Sequence, residues 1–217
     1  EIDSMCDAVQ QIRQETTLSV CVSFGLLTES QFRRLKEAGV SRVHNNLETS
    51  ERHFPNICTT HTFADKISAI QAAQRAGLTV CSGGIMGMGE TMADRIDMAL
   101  SLRDLGITSV PVNVLNPIPG TPFGEYATLS EEEVLRILAL YRFLLPAASI
   151  RMAGGRGLLP EGGKSCFLSG ANAAITGDML TTAGITVQTD LQMLTELGYE
   201  VKLDETTDDH RHRHGRG

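Results

Sequence analysis

The stretch LTVCSGGIMGMGETMADRIDMALSLRDLGITSVPVNVL (residues 78–115) indicates the fold class of this chain. Its first part, residues 78–85, is a short β-rich run, and a second such run occupies residues 109–115. Between them, residues 91–105 carry apolar side chains at helical spacing and end before Gly106, a residue type favoured after helix C-termini. A strand, a helix and a second strand in this order predict a βαβ unit with parallel strands.

The same alternation continues along the chain in both directions. Six strands are predicted at LSVCVSF (18–24), SRVHNNLE (41–48), LTVCSGGI (78–85), SVPVNVL (109–115), SIRMAGG (149–155) and ANAAITG (171–177). Helices are predicted in the intervals at 28–38, 63–76, 91–105, 130–145 and about 162–169. Ser130 and Glu133 have the spacing of a capping box at the start of the fourth helix.

Six βα units are too few to close an eight-stranded barrel, which typically needs about 250 residues. Residues 1–15 have a helical pattern that would follow an earlier strand. We therefore predict a TIM-type (β/α)8 barrel that lacks its start, with the partial barrel over residues 1–200. Residues 201–217 are expected to form a disordered tail, in which His210, His212 and His214 belong to a solvated charged run.

Composition narrows the classes of function. The formal net charge of −7 argues against nucleic acid and acidic membranes as partners, so small-molecule partners are expected. The sequence contains no apolar run of membrane-spanning length, and a cytoplasmic protein is expected. Five cysteines stand singly, at positions 6, 21, 58, 81 and 166, which favours reduced thiols or metal ligands over a disulfide framework.

Side-chain alternation along the predicted strands separates two faces. Valine, leucine, isoleucine and methionine occupy one face, whereas small and polar residues occupy the other, which would point into the barrel lumen. Cys21, Cys81 and Arg151 lie on the first, third and fifth strands, and residues of alternate strands form one layer of a barrel. Two thiolates and a guanidinium at one level fit an iron-sulfur cluster. The alternative is that both cysteines are small buried hydrophobes.

Six segments resemble the biotin synthase family, which has a radical S-adenosylmethionine (SAM) barrel. They are HNNLETS (44–50), PNICTTHTFADK (55–66), VCSGGIMGMGET (80–91), SVPVNVLNPIPGTP (109–122), IRMAGGR (150–156) and SGANAAITGDMLTT (169–182). The resemblance covers nearly all of residues 1–200 in one order. It implies an incomplete radical SAM barrel of about six βα units.

The resemblance also implies roles for individual residues. Cys21, Cys81 and Arg151 would be ligands of an auxiliary two-iron two-sulfur (2Fe-2S) cluster. The cofactor SAM would contact a set of residues around the second and third strands: Asn46, Glu48, Lys66, Gly83, Ile85 and Gly87, with Glu90 completing the GxIxGxxE pattern. Dethiobiotin, the substrate, would contact His44, Asn46 and Asn113. Cys6, Cys58 and Cys166 match no ligand position.

By resemblance, the function is insertion of sulfur into dethiobiotin to form biotin, by a SAM-derived 5′-deoxyadenosyl radical. A radical SAM sulfurtransferase of this kind also needs a four-iron four-sulfur (4Fe-4S) cluster held by a CxxxCxxC motif, which the 217 residues do not contain. No catalytic residue is therefore assigned, and the isolated chain is expected not to cleave SAM. A homodimer and a flavodoxin or ferredoxin as electron donor are the expected partners.

Two alternatives stay open at this point. In the first alternative, the chain is a non-catalytic fragment that binds SAM or dethiobiotin. In the second, it is another radical SAM barrel enzyme, such as a hydrogenase-maturation or pyrrolysine-pathway relative. Arg151 in RMAGGR argues against the second, because a relative without sulfur transfer has no need of a guanidinium facing a cluster.

Overall fold

A computed structural model describes residues 1–177 and 184–201, and the chain divides into two compact units, residues 1–175 and 176–217. The helices of the first unit are α1 (Ile2–Glu15), α2 (Glu29–Ala38), α3 (Phe54–Ile57), α4 (Phe63–Arg75), α5 (Met92–Asp104), α6 (Glu131–Leu144) and α7 (Cys166–Ser169). Its strands are β1 (Val20–Val22), β2 (Val40–His44), β3 (Thr79–Cys81), β4 (Gly84–Met86), β5 (Ser109–Val114), β6 (Ser149–Met152) and β7 (Ala173–Ala174).

The strands of the first unit form one parallel sheet with the order β1-β2-β3-β5-β6-β7, in which β4 also pairs with β5. Helices separate most successive strands, as βαβ connections require. The sheet curls into a half-barrel, which confirms the predicted incomplete (β/α) barrel.

The single strand predicted at 78–85 is interrupted between β3 and β4. Gly83 and Gly84 lie where backbones approach closely: an added Cβ would come within 1.9 Å of the Pro111 carbonyl oxygen at Gly83 and within 2.3 Å of the Glu48 carbonyl oxygen at Gly84. Only glycine permits these contacts. The interruption brings the chain after β2 against the start of β4, where Glu48 and Gly84 form an isolated bridge.

Helix starts follow the local sequence. Thr28, Thr62 and Thr91 each accept a hydrogen bond from the backbone three residues on and form complete capping boxes. The predicted box at Ser130 is only half correct. Ser130 accepts from the Glu133 amide, but the return bond is not formed, and Glu133 Oε1 instead lies 3.8 Å from Arg95 Nη1.

The helix predicted at about 162–169 is shorter than expected. Positive φ angles at Gly162 and Gly163 interrupt the helical pattern, so α7 begins only at Cys166. Two single-turn 3₁₀ helices, Arg156–Leu158 and Pro160–Gly162, precede it.

The core of the first unit lies between the helices and the apolar face of the sheet. Nine apolar residues of that face are at most 6% exposed: Val22, Val43, Val80, Val110, Val112, Val114, Ile150 and Met152 in the strands, and Leu47, which follows β2. Because side chains alternate along a strand, the residues between them lie on the opposite, lumen-facing side of the sheet.

The second unit contains a helix that the sequence analysis did not predict, α8 (Val187–Glu196), capped by the Thr186 hydroxyl. The Gly177 amide donates to the Ile185 carbonyl over 2.8 Å within this unit. Most of the predicted tail, including His210, His212 and His214, lies outside the described residues. Within residues 1–177 and 184–201, no helix has the length and apolar composition that a membrane crossing requires.

Candidate functional site

The strand register brings Cys21, Cys81 and Arg151 to one level of the lumen-facing side. Cys21 on β1 is in register with Arg42 on β2, which is in register with Thr79 on β3. Cys81 therefore lies two strands away from Cys21 and two residues beyond its register level. In the same way Cys81 is in register with Ser109 and Ser149, and Arg151 lies two residues beyond. A stagger of about one residue per strand is that of an eight-stranded barrel with shear 8, and it places the three residues in one layer.

The electrostatics of the two thiols support this proximity. Cys21 is an exposed residue, but partial loss of hydration at its thiol raises the pKa of that thiol. The nearby Cys81 thiol raises the pKa of Cys21 further. Burial raises the pKa of Cys81, whereas Arg151, Ser109 and Arg42 act in the opposite direction. We call Cys21, Arg42, His44, Cys81 and Arg151 the lumen cluster.

Arg42 is a member of the lumen cluster that the sequence analysis missed. It occupies β2 two residues before His44 and is in register with Cys21. The signal was present in the sequence, because residues two apart on a strand share a face.

His44, predicted near the substrate, contacts a cysteine. Its Nδ1 lies 3.0 Å from Cys81 Sγ, and the two residues are in register on β2 and β3. Burial, and to a smaller extent the charge of Lys66, lowers the pKa of the His44 imidazole.

Asn46 and Glu48 follow β2 and contact the turn between β3 and β4. The Asn46 side-chain oxygen accepts from the Gly83 amide over 3.0 Å, and its Nδ2 lies 3.4 Å from Glu48 Oε2. Glu48 adopts a left-handed backbone conformation, with φ 70°, which costs of order 1–2 kcal/mol for a residue with a Cβ. Burial raises the pKa of the Glu48 carboxyl, and Lys66 and Asn46 oppose that shift.

Lys66 reaches this site from α4. Its Nζ donates to Asn45 Oδ1 over 2.8 Å, while burial lowers the pKa of the ammonium and Glu48 acts in the opposite direction. Asn45 is 4% exposed, and its Nδ2 has no hydrogen-bond partner among the described residues. The sequence analysis missed Asn45, because the alternation of side chains places it on the apolar side of β2.

The GxIxGxxE segment forms a closed turn. The Ile85 amide donates to the Glu48 carbonyl over 3.0 Å, and the Gly87 amide donates to Glu90 Oε1 over 2.8 Å. Gly87 has φ 103°, a conformation that favours glycine. Glu90 therefore stabilises the turn through the Gly87 amide. Gly83 and Ile85 form the edge of the turn that contacts Asn46 and Glu48.

Asn113 is held by backbone groups on both sides. Its Nδ2 donates to the Gly84 carbonyl over 3.1 Å, and its Oδ1 accepts from the Gly154 amide over 2.9 Å. A carboxamide has two N–H groups and two acceptor lone pairs, so one of each is left for a ligand. The contacts fix the orientation of that remaining pair.

The lumen cluster fits part of an iron-sulfur ligand set. Cys21 and Cys81 supply two thiolates, the ligands that such clusters require, and Arg151 adds a cation at the same level. In the part of the chain that the structure describes, no three His, Cys, Asp or Glu side chains converge as a metal site. These residues therefore account for a portion of a cluster's ligands and not for a complete cage.

The other cysteines lie outside the lumen cluster. Cys6 and Cys166 are buried. Cys58 lines a cavity of about 530 Å³ formed by the segment 51–65, with its Sγ 3.4 Å from His61 Nδ1. A hydrogen bond with Thr60 lowers the pKa of the Cys58 thiol.

A second cluster of polar side chains lies at the start of α5, and we call Ser50, Arg52, Glu90, Asp94 and Arg95 the α5 cluster. Its members are buried except for Arg52, whose side chain is 61% exposed. Asp94 Oδ1 accepts from the Ser50 hydroxyl over 2.7 Å and from Arg52 Nη2 over 2.8 Å. Its Oδ2 accepts from the Thr91 amide over 2.8 Å. Glu90 Oε1 accepts from Arg95 Nε over 2.8 Å.

Two sequence families match the chain in tandem. Residues 2–102 match the Radical SAM superfamily, and residues 111–200 match the Biotin and Thiamin Synthesis associated domain. The first unit, with its half-barrel sheet, thus contains the whole Radical SAM match and much of the match to the Biotin and Thiamin Synthesis associated domain. The chain is a member of the radical SAM superfamily.

Curated relatives narrow the assignment. Biotin synthase of Brachyspira hyodysenteriae is 61% identical over 205 residues, which cover 94% of this chain and 62% of the relative. Biotin synthase of Akkermansia muciniphila is 56% identical, covering 94% and 63%. Biotin synthase 2 of Corynebacterium diphtheriae is 55% identical, covering 94% and 62%. Within the superfamily, the chain belongs to the biotin synthase family, and it spans about three-fifths of the length of these relatives.

Solved structures agree on the fold. Methylornithine synthase (PylB) superposes with a TM-score of 0.77 at 19% identity, covering 93% of this chain and 64% of that one. The FeFe-hydrogenase maturase HydG from Carboxydothermus hydrogenoformans gives a TM-score of 0.74 at 17% identity, covering 92% and 52%. These similarities concern the fold alone.

Proposed function

We propose that this chain is the larger part of a biotin synthase, in which SAM and dethiobiotin bind on the lumen-facing side of the sheet. The observation that carries the proposal is the level shared by Cys21, Cys81 and Arg151, which come from three alternate strands. Identities of 51–61% to biotin synthases give additional support.

In the proposed enzyme, the polar side chains of the site bind different groups. Cys21, Cys81 and Arg151 hold the auxiliary 2Fe-2S cluster. Glu48, whose carboxylate lies beside Asn46, accepts from the ribose hydroxyls of SAM. Lys66, fixed by Asn45, pairs with the SAM carboxylate.

Further residues support the binding of both small molecules. Gly83, Ile85 and Gly87 form the edge against which the SAM adenine packs. Asn46 and Asn113 present carboxamides whose remaining donors and acceptors match the ureido group of dethiobiotin. When bound, the 4Fe-4S cluster supplies the electron that cleaves SAM, and the 2Fe-2S cluster supplies the sulfur atom. The protein's own part is to orient substrate and cofactor and to exclude water.

The decisive experiment uses the protein expressed from its complete gene and reconstituted anaerobically with iron and sulfide. We expect dethiobiotin to be converted to biotin, with 5′-deoxyadenosine formed from SAM. Cys81→Ala should abolish biotin formation and the visible absorption of the auxiliary cluster, because a thiolate ligand is lost. Cys166→Ala removes a buried cysteine outside the lumen cluster and should retain both.

The outcomes separate the alternatives. SAM binding without biotin or 5′-deoxyadenosine formation would overturn the proposal in favour of a binding module. Conversion of dethiobiotin by Cys81→Ala at the unaltered rate would overturn the assignment of the auxiliary cluster. A homodimer, a flavodoxin or ferredoxin electron donor and a cytoplasmic location complete the proposal, and sedimentation of the purified protein tests the first of these.

A further inference from the structure

The His44 imidazole contacts the Cys81 sulfur on the lumen-facing side of the sheet. The Nδ1 to Sγ distance is 3.0 Å, which is short enough for an N–H···S hydrogen bond. The resemblance had suggested a role beside the substrate, but the sulfur is the atom that His44 reaches in the described structure.

The backbone holds this contact in place. His44 and Cys81 are register partners on adjacent parallel strands, and the Asn45 amide donates to the Cys81 carbonyl over 3.0 Å. The imidazole is half-buried and Cys81 is 8% exposed, so the contact is shielded from competing water. Both side chains project from the same side of the sheet, which keeps them adjacent.

The chemistry of a ligating cysteine defines the direction of the hydrogen bond. A cysteine bound to iron is a thiolate, which has no proton to donate and only accepts. An imidazole N–H that donates to a thiolate forms a charge-assisted bond. Hydrogen bonds to the sulfurs of an iron-sulfur cluster are among the factors that set its reduction potential.

We propose that His44 is a positioning residue of the auxiliary cluster, donating from Nδ1 to Cys81 Sγ and thereby raising the cluster's reduction potential. The proposal rests on the proposed function, since it requires that Cys81 ligate the cluster. The donated hydrogen bond stabilises the extra negative charge of the reduced cluster more than the charge of the oxidised one. It also fixes the side-chain rotamer in which the sulfur faces the lumen.

The test is a redox titration of the reconstituted protein, followed by electron paramagnetic resonance of the reduced 2Fe-2S cluster. His44→Leu removes the donor, and reduction should become about tenfold less favourable, a fall of about 59 mV in midpoint potential for one electron. His44→Asn returns an N–H near the position of Nδ1 and should restore most of the potential. His61→Leu is the matched control, because it removes the imidazole that contacts a different cysteine, Cys58.

A measurement without substitution covers the case in which His44→Leu does not fold. In the wild-type protein labelled with ¹⁵N at histidine alone, electron nuclear double resonance of the reduced cluster should detect a weak histidine ¹⁵N coupling transmitted through the hydrogen bond. An unchanged potential in His44→Leu, or the absence of that coupling, overturns the inference. A histidine ¹⁵N coupling of a size typical of a ligand would also overturn it, because His44 would then bind iron, whereas the proposed ligand Arg151 does not carry this label.

Failure of the proposed function gives a different result. In that case the wild-type protein assembles no 2Fe-2S cluster that depends on Cys81, and Cys81→Ala has the same spectrum as the wild type. If Cys81 is needed for the cluster and His44 has no effect on its potential, only the inference about His44 fails.

Discussion

The lumen cluster and the α5 cluster are both groups of polar side chains within the first unit, but they differ in how their hydrogen bonds are used. In the α5 cluster, both oxygens of Asp94 and one oxygen of Glu90 accept hydrogen bonds from neighbouring protein groups, and the other Glu90 oxygen has no hydrogen-bond partner among the described residues. Around the lumen cluster, Asn45 keeps an unbonded Nδ2 among the described residues, and burial raises the pKa of Cys81.

This difference separates structural from functional polar groups. A buried polar group that is satisfied within the protein stabilises the fold, since its desolvation is offset by hydrogen bonds. Burial shifts the pKa of Cys81 away from the charged form, a shift that is typical of binding sites, whereas hydrogen bonds shift the pKa of Asp94 towards the charged form and so stabilise the fold. Substitutions in the α5 cluster should therefore affect mainly stability, whereas those near the lumen cluster should affect mainly ligand binding.

The largest loss of stability is expected from Arg95→Met in the α5 cluster. The side chains of Glu90 and Arg95 are 2% and 6% exposed, so removal of the guanidinium leaves a buried carboxylate without its counter-ion. The free energy of unfolding, measured by urea denaturation, should fall by about 3–5 kcal/mol. Arg103→Met, on the same helix with a side chain 55% exposed, should cost less than about 1 kcal/mol. Equal losses from the two variants would contradict the structural role of the α5 cluster.

A smaller loss, dependent on pH, is expected from Asp94→Asn. Burial alone would raise the pKa of Asp94, but hydrogen bonds from Thr91, Ser50 and Arg52 outweigh it and hold the pKa well below its ordinary value. At neutral pH the variant should be about 2–3 kcal/mol less stable, because an amide cannot accept all of these bonds.

The sign of the pH dependence follows from the depressed pKa. The stabilisation by Asp94 is complete above the unfolded-state pKa of about 3.9 and is lost as the pH falls through the folded-state pKa. The difference between wild type and Asp94→Asn should therefore shrink progressively below about pH 4. Asp97→Asn, whose side chain is 50% exposed, is the control and should cost less at every pH. A difference that does not change with acidification would be inconsistent with this explanation.

The smallest stability change, and one of opposite sign, is expected from Glu48→Gly beside the lumen cluster. Glycine relieves the strain of φ 70°, so the free energy of unfolding should rise by about 0.5–1 kcal/mol. Loss of the carboxylate should weaken SAM binding about tenfold or more, measured by equilibrium dialysis.

Glu161→Gly is the matched control for this prediction. Glu161 has φ 50° and lies in a 3₁₀ turn, where no contact with SAM is proposed. It should gain similar stability and leave SAM binding unchanged. If both glycine variants bind SAM like the wild type, Glu48 is not a SAM ligand and its strained backbone has another cause.

Much of the fold was predictable because its signals are local. The alternation of β-rich runs with capped amphipathic stretches identified the parallel strands and most helices, with boundaries within a few residues. The misses have local causes as well. Two consecutive glycines shortened α7, and α3 is a single turn too short to show helical periodicity.

The site was predictable only in part. Side-chain alternation assigned Cys21, Cys81 and Arg151 to one face of the sheet, and the roles of the SAM-facing residues came from the family resemblance. Asn45 was missed because alternation places it on the wrong face, and its bond with Lys66 joins residues 21 apart in sequence. Their roles in cofactor binding stay predictions until the variants are measured.

The sequence by itself determined the alternation of strands and helices, the face on which each strand residue lies, and the family to which the chain belongs. These properties depend on the periodicity of the chain and on short motifs. Only the tertiary structure decided that His44 contacts Cys81, that Lys66 is fixed by Asn45, and that Glu48 has a left-handed backbone. The reason is that these contacts depend on strand register and on backbones that meet across the sheet, which no local pattern specifies.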